Sequence, residues 1–560
     1  KIGLGALSQD FRRDSLNNLV RGWETEPGAK DAVTAAMTSR FEDVRFSAAE
    51  ELSRKSPEGD AKQRAMEVLL EMVARADYHE QNRGTQGLQR LGDAAAAPKL
   101  LDRIDSDEDG SANVDNLMKA AASFRDRNVF DRLLDYIDRD VNRWGAFQAA
   151  LTITGYDQYI EDPEDESEDR SWLEKQHPRQ DDLLAKLLDI AYRLADGRML
   201  QMLVPRARWA LTDAADPYLS PLATFSKENI QHAAIEAIGW RLRKRDGSPD
   251  VLLRLLREGS PTAQFISAEA LALAGRKDGI SVLMTAVNFM EDYDQRRRAI
   301  YALGQLGDPQ ALELLLEIVQ DEESFLRPPA AEAIGHMAKA DRADDVFKLL
   351  VGLDQSNYDL AKSALTGLRY FNTREAWRVI RKRAREGAWW LRQHAAEMLG
   401  YNDDKANVEL LERIITSGEE DDSDVVDTAA TSLRRIYGPE SLEPDYILVQ
   451  SEFTWLDAQE GMIKRLRERG DAARLLEVLP KINGEAEAEF LAPLVTALLS
   501  REPLPVDDVA GLLGSDETRT ATVAAQIVGR AGKEAASHGD TLVAATEKAH
   551  TQWLDARKLV

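Results

Sequence analysis

The sequence contains no cysteine. Disulfides, thiolate zinc sites and cysteine nucleophiles are therefore excluded. It also has no apolar run near the roughly 18–20 residues that a membrane helix needs, and its first residues, KIGLGALSQD, show no hydrophobic leader. The chain begins with Lys rather than Met, which leaves open that it is cut from a longer protein. From these features we expect a cytoplasmic protein without a membrane span.

Positive charge is scarce. The chain has 72 Lys and Arg against 98 Asp and Glu, a formal net charge of −26. A field of this sign repels nucleic acid and anionic membranes unless a local basic patch overrides it. The composition therefore favours protein partners, among which a basic partner fits best.

Sequence patterns of catalytic sites are missing. The seven histidines include no His-x-x-x-His pair, and the chain has neither a nucleophile elbow nor a phosphate-binding loop. We predict no catalytic residue, no cofactor and no favoured metal site, and hence no enzyme. His232, His336 and His394 recur on one kind of helix. We interpret them as ordinary helix residues, with a shared groove-lining site as the alternative.

What the sequence does have is an internal repeat. Blocks at 296–323, 325–354 and 391–417 each hold an Ala-rich helical segment, a short turn and a Leu-rich segment. One apolar position near the end of the first segment recurs every 31 to 34 residues, at Ile238, Leu271, Leu303, Ile334, Leu365, Leu399 and Leu433. Degenerate copies precede it at Leu52, Leu88, Ala122 and Leu151, and one follows at Val528.

These blocks resemble HEAT repeats, in particular the short HEAT-like repeats also found in phycobilin lyases. The family's Arg, seven residues before the Leu-Gly end, is matched by Arg45, Arg296, Arg327 and Arg392. The pattern is broken at Gln231, Gln264, Tyr358 and Val426. Over about three quarters of the chain, the resemblance implies an all-α fold: a right-handed α-solenoid of stacked antiparallel helix pairs. One such pair cannot bury both its faces alone, so neighbouring repeats complete the core.

Interruptions of the repeat suggest five segments. The acidic run EDPEDESEDR at 161–170 predicts a solvated insertion. We expect no sheet anywhere, and DYILVQ at 445–450 is the only strand-like piece. We predict N-terminal degenerate repeats at 1–160, an acidic insertion or linker at 161–180, regular repeats at 181–437, an irregular linker at 438–460 and C-terminal helical repeats at 461–560.

The favoured hypothesis is a scaffold or adaptor whose groove binds a protein. The resemblance implies that the Ala-rich helices line the groove. Arg and Trp are typical of binding hot spots, so the candidates for partner binding are Trp240, Arg297, Trp389, Trp390 and Arg392. We interpret the repeat arginines Arg45, Arg296, Arg327 and Arg392 mainly as structural. A planar guanidinium suits pairing with a turn acid such as Asp308 or Asp404. An arginine ladder that binds the partner is the alternative.

Two other functions remain open. The run RVIRKRAREGAWWLRQH at 378–394 combines arginines with two tryptophans, as single-strand nucleic-acid platforms do. The repeat resemblance alone suggests an enzyme similar to a bilin lyase, which we favour least. The oligomeric state is left open.

One stretch imitates a calcium loop. In DSDEDGSANVDN, at 105–116, Asp105, Asp107 and Asp109 match ligand positions 1, 3 and 5, and a glycine follows at position 6. Position 12, however, is Asn116 instead of the bidentate Glu. The repeat frame places this stretch between helices at 98–104 and 111–124, with Ser111 as a helix N-cap. We therefore interpret it as a turn between repeats and keep a weak calcium site as the alternative.

Overall fold

The computed structural model describes residues 9–22, 28–157 except Ser56 and Asp109, 178–353 except Asp246 and 338–341, 357–451, 457–470, and short pieces after 470. All regular structure in these ranges is helical, and none of these helices is long and apolar enough to cross a membrane. The chain divides into two compact units, unit 1 at 1–274 and unit 2 at 275–560.

Unit 1 contains fifteen described α-helices. They are α1 Gln9–Arg21, α2 Ala29–Ala36, α3 Glu42–Ser53, α4 Gly59–Val73, α5 Tyr78–Leu91, α6 Ala96–Asp105, α7 Val114–Ser123, α8 Phe130–Asp138, α9 Arg143–Thr154, α10 Asp181–Arg193, α11 Gly197–Ala207, α12 Asp216–Leu222, α13 Glu228–Lys244, α14 Asp250–Glu258 and α15 Pro261–Leu273.

Unit 2 contains twelve described α-helices. They are α16 Ile280–Phe289, α17 Tyr293–Leu306, α18 Pro309–Gln320, α19 Arg327–His336, α20 Ala343–Gly352, α21 Tyr358–Arg369, α22 Arg374–Arg383, α23 Trp389–Leu399, α24 Lys405–Thr416, α25 Ser423–Tyr437, α26 Glu443–Leu448 and α27 Asp457–Arg469. From α3 to α25, the odd-numbered helices are the first helices of the repeats and the even-numbered helices are the second helices.

Within unit 2, consecutive first helices pack directly on each other, and glycine makes this close approach possible. A Cβ atom at Gly304 of α17 would lie 2.8 Å from the Cα of Ala333 on α19. A Cβ at Gly400 of α23 would lie 2.6 Å from the Cβ of Ser432 on α25, and one at Gly335 of α19 would collide with the backbone of Gly367 on α21. The recurring Leu-Gly and Ile-Gly ends are therefore points of contact between helices.

Second helices fill the other layer. On α18, the stripe Leu312, Leu315, Leu316 and Val319 is buried, and this helix packs chiefly on α19, the first helix of the following repeat. The repeat-register residues Leu303 and Leu399 are fully buried as well, whereas Ile238 is half-buried. Each repeat thus completes its core with its neighbour, and the predicted all-α solenoid fold is confirmed.

The predicted acidic insertion falls between the two helices of one pair, α9 and α10. The Tyr156 hydroxyl donates to Asp181 Oδ1 at 2.5 Å, and the backbone N–H of Gln180 donates to the Thr154 carbonyl at 2.9 Å. These bonds join the two ends of the loop. Residues 158–177, which hold the acidic run 161–170, lie outside the described residues.

The segment 438–460 contains a buried helix. DYIL, at 445–448, belongs to α26, so the one strand-like piece of the sequence is helical, and the described residues contain no strand, as expected. Asp445 has no exposed surface and receives hydrogen bonds from Arg434 on α25 and Arg465 on α27. The boundary between the two units, after Ala274, falls inside the predicted segment 181–437. The five-segment division stays a prediction.

The glycine contacts can be tested with Gly335→Ala. The new methyl group would be forced against the Gly367 backbone, so we expect the free energy of unfolding to fall by about 1–3 kcal/mol, as for other overpacked cores. Gly352→Ala is the control. It adds the same methyl group on α20, where no atom lies within 4 Å, and should stabilise the helix by up to about 1 kcal/mol. Urea unfolding of both variants measures the difference, and equal effects would contradict the packing account.

Candidate partner-binding site

Exposed aromatic side chains concentrate on unit 2. Among the described residues, the aromatic side chains that stand exposed there are Phe289, Tyr293, Tyr301, Phe325, Tyr358, Trp389, Tyr401 and Tyr437. Unit 1 exposes Tyr78, Tyr192 and Leu211. Aromatic residues are enriched in protein interfaces relative to other surfaces. We therefore expect a binding surface on unit 2.

A row of touching side chains crosses unit 2 at the C-terminal ends of its first helices. We call it the central ladder, and its members are Gln305, His336, Arg369, Tyr370, Tyr401 and Arg435. Gln305 Nε2 on α17 lies 3.1 Å from His336 Nε2 on α19. The His336 ring stacks on the Tyr370 ring just beyond α21, with centroids 3.3 Å apart and planes inclined by 32°. Three successive repeats are joined in this way.

The ladder continues through cation–π contacts. Arg369 Nη2 on α21 donates to the Tyr370 hydroxyl at 2.6 Å, while its guanidinium carbon lies 3.9 Å from the centre of the Tyr401 ring, just beyond α23. The Arg435 guanidinium on α25 lies 4.2 Å from the same ring. Such contacts contribute about 0.5–1 kcal/mol each at exposed sites. The row is thus continuous over five first helices.

The glycine contacts account for the alignment of this ladder. Gln305, His336 and Tyr401 each follow directly after one of the contact glycines Gly304, Gly335 and Gly400. Because these glycines bring the helix backbones together, the next side chain on each helix can reach its counterpart on the following helix. Sequence inspection missed the ladder, although residues next to the Leu-Gly ends were the available signal.

Carboxylates accompany the ladder one helical turn further back. Glu332 lies on α19, four residues before His336, and burial raises its pKa although Arg369, His394 and Arg297 act to lower it. Glu397 lies on α23, four residues before Tyr401, and its hydrogen bond with His394 lowers its pKa. The ladder therefore has a mixed charge rather than a positive one.

The predicted histidines take different places. His336 is part of the central ladder, which the interpretation as an ordinary helix residue did not anticipate. His394 joins α21 to α23, since its Nε2 lies 2.9 Å from Thr366 Oγ1 and its Nδ1 lies 3.1 Å from Glu397 Oε2. His232 is half-buried on α13 of unit 1.

The predicted tryptophans of unit 2 lie at the start of α23. Trp389 has 47% of its surface exposed, and the Trp390 ring packs on Tyr358 with centroids 5.0 Å apart. The eleven residues of α23 separate this pair from Tyr401 by about 15 Å along the helix axis. The tryptophans and the central ladder therefore occupy opposite ends of the first helices.

Two other predicted partner-binding residues lie apart. Arg297 is exposed on α17 and pairs with Asp294 at 3.6 Å. Trp240 belongs to unit 1, where its ring lies 5.7 Å from that of Trp209 and 4.5 Å from the Arg243 guanidinium. Their role in partner binding stays a prediction.

The repeat arginines are bonded inside the fold. Arg296 Nε donates to the Val287 carbonyl at 2.7 Å, and Arg327 Nε donates to the Val319 carbonyl at 2.9 Å. Arg45 Nη1 donates to the Ser39 carbonyl at 3.1 Å. Each of these carbonyls belongs to the end of the preceding helix or the turn after it, where helix carbonyls lack partners. The arginine therefore fixes one repeat to the helix before it.

The predicted pairing of the repeat arginines with Asp308 or Asp404 is wrong. Asp308 pairs with Lys277 at 2.7 Å, and Asp404 lies 3.9 Å from Arg381. Both aspartates also cap the second helix that follows them, by accepting a backbone N–H. The turn aspartate is therefore bonded to the helix that it caps, whereas the repeat arginine bonds to the end of the preceding helix.

Arg392 donates its hydrogen bonds to other groups of the fold. It donates to the Gly387 carbonyl at 2.9 Å, to Glu420 at 2.6 and 3.0 Å, and to Asp421 at 2.7 Å. The hydrogen bond to Glu420 raises the pKa of Arg392. This geometry favours the structural role of Arg392 over partner binding.

Other side chains replace the repeat arginine. Gln231 Nε2 donates to the Ala223 carbonyl at 3.1 Å, and Gln81 Nε2 donates to the Arg75 carbonyl at 2.7 Å. The Nε2 atom of Gln and the Nε atom of Arg are separated from Cα by the same number of bonds. The apparent break in the sequence pattern at Gln231 is therefore a conservative exchange. Arg143, which donates to the Ile137 carbonyl at 3.0 Å, was missed in the sequence.

The stretch 105–116 joins two repeats. It connects α6, which ends at Asp105, to α7, which begins at Val114. Asp105 receives hydrogen bonds from Arg132 at 2.6 Å and from the Tyr136 hydroxyl at 2.8 Å. Burial, together with this bond to Asp105, raises the pKa of Tyr136 to about 12.

The second aspartate of the stretch is also bonded. Asp107 Oδ1 accepts from Arg103 at 2.9 Å and from the Ala112 backbone at 3.1 Å. The N-cap of α7 is Asn113 and not Ser111, which instead accepts from Arg103. Asp109 lies outside the described residues, so the calcium alternative stays a prediction.

The basic run 378–394 is divided between two helices. Except for Arg392 on α23, its arginines and its lysine lie on and just after α22, a second helix, while Trp389 and Trp390 open α23. Arg381 donates to Asn407 at 2.6 Å, and Lys382 lies 3.8 Å from Glu386. The cations and the rings are therefore not presented as one platform.

The role of the repeat arginine can be tested at Arg327. Arg327→Ala leaves the Val319 carbonyl without its donor and should lower the free energy of unfolding by about 1–2 kcal/mol. Arg327→Gln should lose clearly less, because the amide places a nitrogen at the same bond distance from Cα, as at Gln231 and Gln81. Guanidinium unfolding of the three proteins measures this, and equal losses for both variants would contradict the assignment.

Comparison with known proteins agrees with the helix pairs. Residues 249–335 match the family model for HEAT repeats, whereas no curated protein matches the chain. Among solved structures, Kap121p bound to Pho4p is similar with a TM-score of 0.47 and 12% identity, covering 99% of this chain and 67% of that one. Importin beta in an ammonium sulfate condition gives a TM-score of 0.36 and 12% identity, with 98% and 78% covered. Likenesses this weak carry over no partner.

The family model covers α14 to α19 almost completely, and the same elements recur outside the matched range. First helices in contact at glycine occur at α23 and α25, and an Arg or Gln bonded to the preceding helix end recurs from α3 to α23. The predicted resemblance to HEAT repeats is therefore confirmed.

Proposed function

We propose that the protein is a non-enzymatic scaffold that binds a protein partner through the first helices of unit 2, with the central ladder as its principal contact. The observation that carries the proposal is the continuity of the ladder, whose ring and guanidinium contacts join five first helices. No cofactor is part of it.

The chemistry of the ladder suits protein recognition. Tyrosine and arginine are among the residues that contribute most to binding energy in interfaces. Because each ladder side chain already contacts the next repeat, part of its conformational entropy is lost before any partner arrives. Binding by such a preorganised surface costs less ordering entropy than binding by free side chains.

The charge of the chain selects among partners. A net charge of −26 attracts basic proteins over long distances and raises their association rate at low salt. Exposed acids also occupy the turns before the first helices, among them Glu291, Asp292, Glu322 and Glu323. A partner with a basic surface is therefore the one that we propose.

Nucleic acid is the weaker alternative. In single-strand binders, aromatic rings stack on bases while separate cations contact phosphates. In the central ladder, Arg369 and Arg435 both stack on the chain's own Tyr401, and Glu332 and Glu397 lie in the neighbouring row. Phosphates would meet carboxylates there.

The proposal is tested with Tyr401→Ala. This change removes the ring between Arg369 and Arg435, so we expect at least about a tenfold loss of affinity for the partner, as for other hot-spot truncations of 1.4 kcal/mol or more. Partners are first captured from a lysate of the cells of origin and identified by mass spectrometry, and the affinity of the purified partner is then measured by calorimetry.

Tyr78→Ala is the matched control, since Tyr78 is an exposed tyrosine of unit 1. It should leave the affinity unchanged. If Tyr401→Ala folds and binds the purified partner as tightly as the parent protein, the central ladder is not the contact and the proposal fails.

A further inference from the structure

One carboxylate beside the central ladder has no bonding partner within the described part of the chain. Glu332 is half-buried on α19, and among the residues that the structure describes, nothing makes a hydrogen bond or an ion pair with it. The side chains of Arg369, His394 and Arg297 act to stabilise its charge, yet burial outweighs them and raises its pKa. A half-buried carboxylate of this kind costs folding free energy.

Aromatic rings stand on the helices at both sides of Glu332. Tyr301 on α17 lies one turn before Gln305, and Tyr370 follows α21 and stacks on His336, one turn after Glu332. Residues four apart on a helix share a face, so Tyr301 and Glu332 both lie on the ladder side. The pKa of Tyr370 is raised by burial and, in addition, by the charges of Glu332 and Tyr301. Because Gln305 contacts His336 and His336 stacks on Tyr370, the helical spacing places Tyr301, Glu332 and Tyr370 next to one another.

The ladder itself indicates which cation fits there. Arg369 lies between two tyrosines, with its guanidinium carbon 4.5 Å from the Tyr370 ring centre and 3.9 Å from that of Tyr401. A guanidinium is planar, weakly hydrated and able to stack on rings while it donates two parallel hydrogen bonds to a carboxylate. An ammonium group is compact and more strongly hydrated, so it fits such a site less well.

We propose that Glu332, Tyr301 and Tyr370 form a recognition site for an arginine side chain of the protein partner. The inference rests on the proposed function and names the chemistry that one part of the central ladder recognises. The partner's guanidinium bonds to the Glu332 carboxylate and lies against the tyrosine rings, which continues the alternation of ring and guanidinium seen at Arg369.

Such a site predicts opposite effects on stability and on binding. For a carboxyl whose pKa is raised in the folded state, the favourable contribution to folding is complete below the unfolded pKa and is lost as pH rises through the folded pKa. At neutral pH the Glu332 charge therefore opposes folding. Glu332→Gln should raise the midpoint of thermal unfolding at pH 7 and lose this gain at pH 4, whereas removal of a structural carboxylate would lower the midpoint.

Binding is measured at the site by ¹⁹F NMR, with 3-fluorotyrosine in place of Tyr301. The full chain is titrated with N-acetyl-arginine amide and with its neutral isostere N-acetyl-citrulline amide. We expect a saturable shift of the Tyr301 resonance with the arginine probe and at least about a tenfold weaker response to citrulline. Glu332→Gln should abolish the arginine response, and Glu317→Gln, which removes an exposed carboxylate of α18, should preserve it.

Equal responses to arginine and citrulline, or an arginine response that survives Glu332→Gln, would overturn the assignment. An equal response to N-acetyl-lysine amide would overturn the selectivity for guanidinium. In either case the scaffold proposal stands if Tyr401→Ala still lowers the affinity for the purified partner. The failure of the arginine site and the failure of the scaffold proposal can therefore be told apart.

Discussion

The close approach of consecutive first helices at glycine is the constraint on which the rest of this structure depends. At Gly304, Gly335 and Gly400 there is no room for even one Cβ atom between neighbouring helices. This fixes the spacing of the repeats, and the spacing decides which side chains can touch. The Arg or Gln that bonds the end of the preceding helix then holds each repeat in its orientation. Packing and hydrogen bonding thus define the same frame, and the central ladder is its consequence.

The repeat architecture could be predicted from the sequence because the same local signals recur in successive repeats. The Leu-Gly ends and the apolar periodicity predicted the helix pairs of 293–437, and the composition of 105–116 against the repeat frame predicted a turn. No sheet was expected, and even the strand-like piece DYILVQ begins in a buried helix, where Asp445 is bonded to two arginines. Tertiary packing overrides β propensity in so short a segment.

The candidate site was less accessible from sequence. Trp389 and Trp390 were recognisable by their type, but the ladder is made of residues 31 to 34 positions apart, such as Gln305, His336 and Tyr370, that have nothing unusual in their local context. The sequence also did not show which cation each turn acid pairs with, since Asp308 bonds to Lys277 and not to a repeat arginine. Contacts between repeats depend on helix spacing, which the sequence encodes only through its glycines.

The central claim, that first helices place equivalent side chains in contact, can be measured directly because the chain has no cysteine. Gln305→Cys combined with His336→Cys places two thiols on adjacent first helices, and Gln305→Cys combined with Tyr401→Cys places them three helix spacings apart, roughly 25–30 Å. With a bis-methanethiosulfonate reagent that spans about one helix spacing, the account predicts rapid intramolecular cross-linking of 305 to 336 and none of 305 to 401. Equal yields, or the reverse order, would contradict it.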